Sequence, residues 1–160
     1  MVIDLKKLKK DNKVRESIAK KMLNPLAVAR VLRAILKIED KIDQDKEHFW
    51  CIGLNTRNVI EYLELVSLGT LNASLVHPRE IFRRAISYGV NSIILGHNHP
   101  SDDVEPSEED IRITNRLVEA GKIIGIEVLD HVIVSQKNSV SLQTRWMINS
   151  GPHHAILKGI

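Results

Sequence analysis

The sequence predicts an α/β fold in which helices flank one mixed β-sheet. Stretches with apolar residues three and four positions apart, typical of helices, alternate along the chain with about five short apolar runs typical of strands. Several of those runs are separated only by short turns, which indicates hairpins and therefore antiparallel pairs. Helices and hairpins in one chain favour a sandwich of the α/β or α+β class, built on a mixed sheet.

The length and composition are those of one globular domain. The chain has 160 residues, of which 43% are hydrophobic and 27% charged, so it can bury a sizeable core. No apolar run approaches the roughly 18 residues that span a bilayer, and the N-terminus lacks the apolar stretch of a signal peptide. The single cysteine, Cys51, cannot form an intramolecular disulfide. These features predict a cytoplasmic protein without membrane contact.

Positive charge is concentrated at the N-terminus. The net charge is +3, but residues 1–21 carry eight basic and three acidic side chains, so the rest of the chain is slightly acidic. This segment is predicted to be a solvated helix face or arm, with weak nucleic-acid contact as the functional alternative. The predicted organisation is a basic, amphipathic helical segment over 1–44, a domain over 45–148 and a tail over 149–160.

The N-terminal part is expected to be helical. Residues 4–22 predict a weakly amphipathic helix, and Asn24 with Pro25 suits the N-cap and first position of a second helix. The apolar face predicted for that second helix consists of Leu26, Ala29, Leu32 and Leu36. The charged stretch 37–48 is expected to end the helix and form a loop.

The pattern then changes to that of strands. The dense apolar run 49–54 predicts a buried strand, residues 55–58 a turn, and residues 59–67 the antiparallel partner. A helix is predicted from Pro78 to about Tyr88, with Gly89 after its end.

The C-terminal part repeats the alternation. The sequence predicts a strand over 92–96, a polar loop over 97–106 and a helix over 108–120 that Ser107 caps and Gly121 closes. A strand over 127–135, a turn over 136–138 and a short returning strand over 140–142 follow.

One segment combines residues typical of a metal site. His97 and His99 are two positions apart, so an extended chain directs both imidazoles to the same side, and Pro100 ends the strand after them. Asp110 follows in the first turn of the next helix, where a folded-back loop would bring it to the histidines. Two imidazoles and one carboxylate leave a coordination position open, as in catalytic zinc sites. Asp110 also suits a capping box with Ser107, and the two roles are compatible.

Hydrolysis at such a site needs a general base that is not itself a ligand. Composition alone leaves Glu47, Glu61, Glu64 and Glu80 open. Glu47 is the preferred candidate because it stands at the start of the first apolar strand, although a solvent-exposed charge there is the simpler interpretation.

The spacing of these residues resembles the JAMM motif of the MPN/JAB metallopeptidase superfamily. The motif here is His97-x-His99, Ser107 and Asp110, with an upstream glutamate. The wider sequence is similar to the RadC family of bacterial JAB-domain proteins over about residues 45–142. The segments that carry this similarity are 67–70, 76–80, 97–101, 106–110, 120–121 and 129–131.

The resemblance implies a JAB/MPN-like architecture, three-layered as in cytidine deaminases, and a zinc-dependent peptidase or isopeptidase acting on a protein or peptide. It implies that His97, His99 and Asp110 bind one zinc ion. Glu47 would act as general base and proton shuttle, and Ser107 would stabilise the oxyanion.

The sequence departs from the family pattern at Asp102, where a glycine commonly follows His-Pro-Ser. This change removes no ligand but could alter the loop that carries the site. Two further features of the family pattern have structural alternatives. His77 and Glu80 suit the start of a helix, and Asp130-His131 predicts either support for a ligand imidazole or a structural hydrogen bond.

Other function classes remain open at this point. RadC relatives carry a DNA-repair label, which suggests a DNA-associated accessory protein without hydrolysis, supported here only by the basic segment 1–21. A non-catalytic scaffold ranks lower because the ligand set is intact. An HNH nuclease, suggested by the letters of residues 97–99, agrees poorly with the position of Asp110.

Overall fold

The architecture is described from a computed structural model that covers residues 2–3, 18, 24–69 and 76–143. In chain order its elements are helix α1 (Pro25–Leu36), the short helix α2 (Lys41–Gln44), strands β1 (His48–Leu54) and β2 (Ile60–Leu68), helix α3 (Pro78–Ser87), strand β3 (Ser92–Asn98), helix α4 (Glu108–Ile124), and strands β4 (Glu127–Val134) and β5 (Ser139–Ser141). The five strands form one sheet in the order β2-β1-β3-β4-β5. Strands β3 and β4 are parallel, whereas the other neighbouring pairs are antiparallel. The predicted mixed sheet is confirmed.

The sheet separates two hydrophobic cores. Because side chains alternate along a strand, Trp50 and Ile52 of β1 contact the α1 side, whereas Phe49 and Cys51 contact the side of α3 and α4. Helix α1 contributes a fully buried stripe that includes Leu32 to the first core. Within the described residues the result is a three-layer arrangement, with α1 on one face of the sheet and α3 and α4 on the other.

The predicted buried face of α1 is confirmed at Ala29 and Leu32 but wrong at Leu26, and the predicted end of α4 is wrong. The buried face of α1 consists of Val28, Ala29, Val31, Leu32 and Ile35, while Leu26 is 59% exposed. Helix α4 does not end at Gly121 but continues to Ile124, and Gly125, with φ +81°, is its C-cap. Gly121 is instead a packing glycine, since a Cβ there would lie 2.5 Å from the carbonyl oxygen of Ile126.

The remaining bounds differ by a residue or two. The largest of these differences is at β3, which runs on to Asn98 rather than ending at residue 96. The two residues added are the ones that lead into the candidate site. Residues 41–44, predicted as part of a loop, form the single turn α2.

Several predictions fall on residues that the structure does not describe. The helix predicted over 4–22, the basic segment 1–21 and the tail 149–160 lie outside the described residues, apart from positions 2–3 and 18. Ile3 and Ile18 are buried in the core on the α1 side, and the Ile3 amide donates to the Leu63 carbonyl at 2.8 Å. The division at residues 44 and 148 stays a prediction. Within the described ranges, no helix combines the length and apolar character needed to cross a bilayer.

Gly96 allows α1 to lie directly on the strand that carries the candidate site. A Cβ at this position would lie 2.8 Å from both Leu32 Cδ1 and Leu32 Cδ2. Leu32 is fully buried, so its side chain has little space into which it could move. The next residue after Gly96 is His97, and the helix–strand distance at this point therefore also sets the position of that imidazole.

We expect Gly96→Ala to lower the free energy of unfolding by about 1–3 kcal/mol, the usual cost of overpacking a core. In a Leu32→Ala background the same substitution should cost clearly less, because the methyl group then enters the space that Leu32 vacates. Urea denaturation of the wild type, both single variants and the double variant measures the difference. Equal costs in both backgrounds would contradict the assigned contact.

Candidate metal centre

The candidate ligands come from the end of β3 and the start of α4. His97 is the second-last residue of β3, which ends at Asn98, and His99 is the first residue after the strand. Because side chains alternate along an extended chain, both imidazoles are on the same side. Asp110 is the third residue of α4. One potential ligand atom from each of these three residues lies within 4.8 Å of the other two. The structure therefore brings together the three residues predicted to bind metal.

The three side chains lie close together, but polar atoms of His97 and Asp110 have no hydrogen-bond partner among the described residues. His97 Nδ1 is 3.1 Å from Asp110 Oδ1, and His99 Nε2 is 3.4 Å from Asp110 Oδ2. Within the described chain, neither ring nitrogen of His97 nor Asp110 Oδ1 makes an aligned hydrogen bond, and all three atoms are buried. Unpaired buried polar atoms are costly. A cation bound to Asp110 Oδ1 and one nitrogen of His97 would give two of these atoms a partner, so the residues present fit a metal ion.

Contacts between Asp110 and His99 shift the pKa values of both groups. Burial favours the neutral acid at Asp110, but contacts with His97, His99 and Ser107 outweigh it and hold the pKa of the carboxyl below its usual range. The pKa of His99 is raised by its contact with Asp110, against the effect of burial, and the Asp103 carbonyl and the charge of Glu47 raise it further. Asp110 is thus an anion throughout the neutral pH range.

Ser107 gives the two oxygens of Asp110 different environments. Asp110 Oδ2 accepts from the Ser107 amide at 2.8 Å and from Ser107 Oγ at 2.7 Å, while the Asp110 amide donates to Ser107 Oγ at 3.1 Å. This is the capping box predicted from the sequence. Because the helix start occupies Oδ2, Oδ1 is the oxygen left for a cation.

A second pair of residues supports Asp110 from behind. Thr114 Oγ1 donates to the Asp110 carbonyl at 2.6 Å and lies 2.6 Å from His131 Nδ1. A hydroxyl has one proton, and the Thr114 hydroxyl directs it to the Asp110 carbonyl. In the contact with His131, Thr114 Oγ1 must therefore be the acceptor and His131 Nδ1 the donor. Burial lowers the pKa of His131 to about 3, which keeps this imidazole neutral. His131 on β4 therefore braces the first turns of α4.

The sequence alone leaves the role of Asp130-His131 open and gives little indication of the role of Thr114. Asp130 accepts from Ser141 Oγ at 2.8 Å and from the Gln143 amide at 3.1 Å, so it ties β5 and the following residue to β4. The only sequence signal for Thr114 is its position four residues after Asp110, where a threonine hydroxyl reaches the preceding turn.

The ligands open into a cleft of about 400 Å³. Glu47 lines this cleft together with Ser107, and every other charged side chain of the lining apart from the histidines is also acidic. The lining residues are Glu47, His97, His99, Ser101, Asp103, Glu105, Ser107, Glu109 and Asp110. The cleft thus contains the preferred general-base candidate and the predicted oxyanion donor.

The other three glutamates considered as bases make contacts elsewhere. Glu61 accepts from Asn55 at 2.6 Å, Glu64 pairs with Arg84 at 3.0 Å, and Glu80 pairs with Arg83 at 3.3 Å. None of the three is among the residues that line the cleft.

His77, which belongs to the family pattern, and Asp102, which departs from it, both lie outside the cleft lining. His77 is the N-cap of α3, where its Nδ1 accepts from the Arg79 amide at 3.2 Å, as the helix-start interpretation predicts. Asp102, the departure from the family pattern, pairs with Lys137 at 3.5 Å. It is not a lining residue, and the three ligands converge despite it.

Comparison with known proteins agrees with this architecture. A family model described as RadC-like JAB domain matches residues 22–147. A UPF0758 protein of Desulforamulus reducens is 52% identical over 113 residues, which cover 71% of this chain and 50% of the relative. A UPF0758 protein of Caldanaerobacter subterraneus is 51% identical over 110 residues, covering 69% and 47%.

A third relative, a UPF0758 protein of Bacillus cereus, is 52% identical over 100 residues, which cover 62% of this chain and 44% of the relative. The chain thus spans about half the length of the curated relatives it matches. The match to the family model includes α1, the whole sheet and both helices of the opposite face. This chain belongs to the RadC-like JAB domain family.

Proposed function

We propose that this chain is a zinc-dependent hydrolase that cleaves an amide bond in a peptide or protein. The observation that carries the proposal is the convergence of His97, His99 and Asp110 in a cleft that Glu47 lines, with both ring nitrogens of His97 and Asp110 Oδ1 buried and without a hydrogen-bond partner in the described part of the chain. The resemblance to JAMM metallopeptidases supplies the reaction class.

Zinc is the ion that the donor set favours. Two imidazoles and one carboxylate, with one position left open, are typical of catalytic zinc sites. When bound, zinc would polarise the scissile carbonyl and lower the pKa of the attacking water. The acidic cleft wall would help to hold a divalent cation.

Glu47 is proposed to move the proton. Its carboxylate would take a proton from the attacking water and deliver it to the leaving amine, as a general base and then a general acid. Glu47 is near enough to His99 for its charge to raise the pKa of that imidazole. This position would place the Glu47 carboxylate beside the coordination sphere without making it one of the three proposed ligands.

Ser107 is proposed to donate a hydrogen bond to the developing oxyanion. Its hydroxyl proton points to Asp110 Oδ2 in the metal-free protein. If the hydroxyl turns towards a substrate, the Ser107 amide still donates to the same oxygen at 2.8 Å. The Ser107 hydroxyl can therefore donate to the oxyanion while Asp110 Oδ2 keeps the hydrogen bond from the Ser107 amide.

Nucleic-acid contact through residues 1–21 stays a separate prediction. Its one support is the excess of five positive charges in that segment. Such contact would weaken steeply as salt increases and would disappear on deletion of the segment.

The zinc assignment predicts a metal content of about one ion per chain, falling to near zero in His97→Ala because a ligand is lost. His77→Ala is the matched control, since His77 caps a different helix and should leave the metal content unchanged. Elemental analysis of the three proteins after zinc addition and dialysis gives the answer. A wild type that retains no zinc would overturn the proposal.

Zinc affinity should rise with pH, since His99 must lose its proton to coordinate. The pKa of His99 is raised above 6.5, so each pH unit below that raised value should weaken binding up to about tenfold. In the metal-free protein, the protonated His99–Asp110 pair stabilises the fold below pH 6.5, and this contribution is lost as the pH rises through the raised pKa.

Isothermal titration of zinc in buffers of different ionisation enthalpy, between about pH 6 and pH 8, measures the protons released. Asp110→Asn removes the partner that raises the pKa of His99, so proton release should move to lower pH and the affinity should fall. Binding without proton release near pH 6 would show that His99 is not a ligand.

Glu47→Gln should bind zinc normally but lose roughly 10²–10⁴-fold in hydrolysis, the usual contribution of a general base. Cleavage of a peptide library by the zinc-loaded protein, followed by mass spectrometry, identifies a substrate on which to measure the rate. Glu61→Gln is the matched control at a glutamate outside the cleft and should retain full activity. Equal activity of the two variants would exclude Glu47 as the base.

A further inference from the structure

We propose that Asn98, between the two candidate histidines, is a positioning residue that fixes Glu47 beside the metal centre. This inference rests on the proposed function, because it concerns the residue assigned there as the base. The proposal is based on the buried side-chain amide of Asn98, which forms hydrogen bonds with the main chain on both sides of Glu47.

The contacts of Asn98 are direct and bidentate. Its Oδ1 accepts from the His48 amide at 2.6 Å, and its Nδ2 donates to the Lys46 carbonyl at 3.0 Å. Asn98 is only 2% exposed. Lys46 and His48 are the two neighbours of Glu47 in the chain, so the amide spans the peptide units that carry Glu47.

The strand register explains why a side chain is needed here. Strands β1 and β3 pair from Leu54 and Ser92 down to Phe49 and His97. One step further, His48 would face Asn98, but there the side chain of Asn98 makes the bond to the His48 amide. Asn98 thereby continues the connection between the two strands past the end of their main-chain pairing.

Alternation of side chains makes this connection useful to the site. His97 and His99 lie on the side of α4, where Asp110 is, and Asn98 points away from them. On the neighbouring strand β1, the His48 ring stacks on Trp50, whose side chain is in the core on the α1 side. Glu47, one residue earlier, lines the cleft. Fixing His48 and Lys46 therefore holds Glu47 on the ligand side.

A third bond restrains the same segment from the other edge. The Gly69 amide, directly after β2, donates to the Glu47 carbonyl at 2.8 Å. The main chain of Glu47 is thus bonded towards β2, and its neighbours are bonded towards β3. Only an amide side chain of this length offers a donor and an acceptor in the fixed plane that the Lys46 carbonyl and His48 amide require.

The test measures Glu47 through a metal probe rather than through turnover. Cobalt(II) is loaded into the wild type, Asn98→Ala, Asn98→Ser and Glu47→Gln, and the pH midpoint of the visible absorption change is recorded. This midpoint reports protonation at the coordination sphere and at groups hydrogen-bonded to it. Asn98→Ser keeps a polar group at the buried position and provides the comparison if Asn98→Ala does not fold.

Asn55→Ala is the matched control. Asn55 also bonds main-chain amides at an end of β1, since its Oδ1 accepts from Arg57 at 2.9 Å and from Val59 at 3.1 Å. It lies at the opposite end of the strand from the site. A general loss of stability would lower the melting temperature of the variants at Asn98 and at Asn55 alike. It would not change the pH midpoint of the cobalt absorption in any of them.

We expect the Asn98 variants to bind about one cobalt per chain and to shift the midpoint in the same direction as Glu47→Gln, with Asn55→Ala unchanged. A shift in Glu47→Gln without one in the Asn98 variants would overturn the positioning role and leave the proposed function intact. A wild type that binds no cobalt, or a midpoint that Glu47→Gln does not move, would overturn both. Loss of cobalt from the Asn98 variants would assign Asn98 to ligand placement instead.

Discussion

Asp110 carries a charge in a place almost closed to solvent, and much of the described site is arranged around that charge. Its side chain is 1% exposed, so ionisation must be supported by fixed groups rather than by water. The start of α4 provides part of that support through its dipole and through Ser107. The two histidines provide the rest and shift the balance to the anion despite burial. The Asp110 carboxylate is therefore charged without needing a bound cation.

The sheet determines where the other parts of the site meet this carboxylate. Gly96 lets α1 lie against β3 immediately before His97, while His131 on the neighbouring parallel strand braces α4 through Thr114. Asn98 connects β3 to the segment of Glu47. Strands β3 and β4 and the segment that leads into β1 thus contribute to one site through contacts of single residues.

The parts that could be predicted from the sequence depend on local spacing. The His-x-His alternation, the capping box and the order of helices and strands are all set within a few residues. The buried face of α1 could be predicted only in part, at Ala29 and Leu32, because apolar residues occur around most of the helix and contact with the sheet selects the full stripe that includes Val28 and Ile35. Gly121 and Gly125 both suit a helix end, and the choice depends on how tightly α4 packs on Ile126. The links made by Thr114 and Asn98 depend on packing and register between distant segments.

Several residues here serve the fold and the centre at once, and this has a physical reason. Ser107 starts α4 and donates two hydrogen bonds to Asp110 Oδ2, which leaves Oδ1 as the oxygen available to a cation. Asn98 completes a strand pair and restrains the segment that carries Glu47. In both, a buried polar side chain must have partners whether or not catalysis occurs. Its geometry is therefore maintained by folding energy, and the site inherits that geometry without separate support. Variation in such a centre is consequently expected in the solvent-facing cleft wall, where Asp103 and Glu105 lie, rather than in the residues that join the strands.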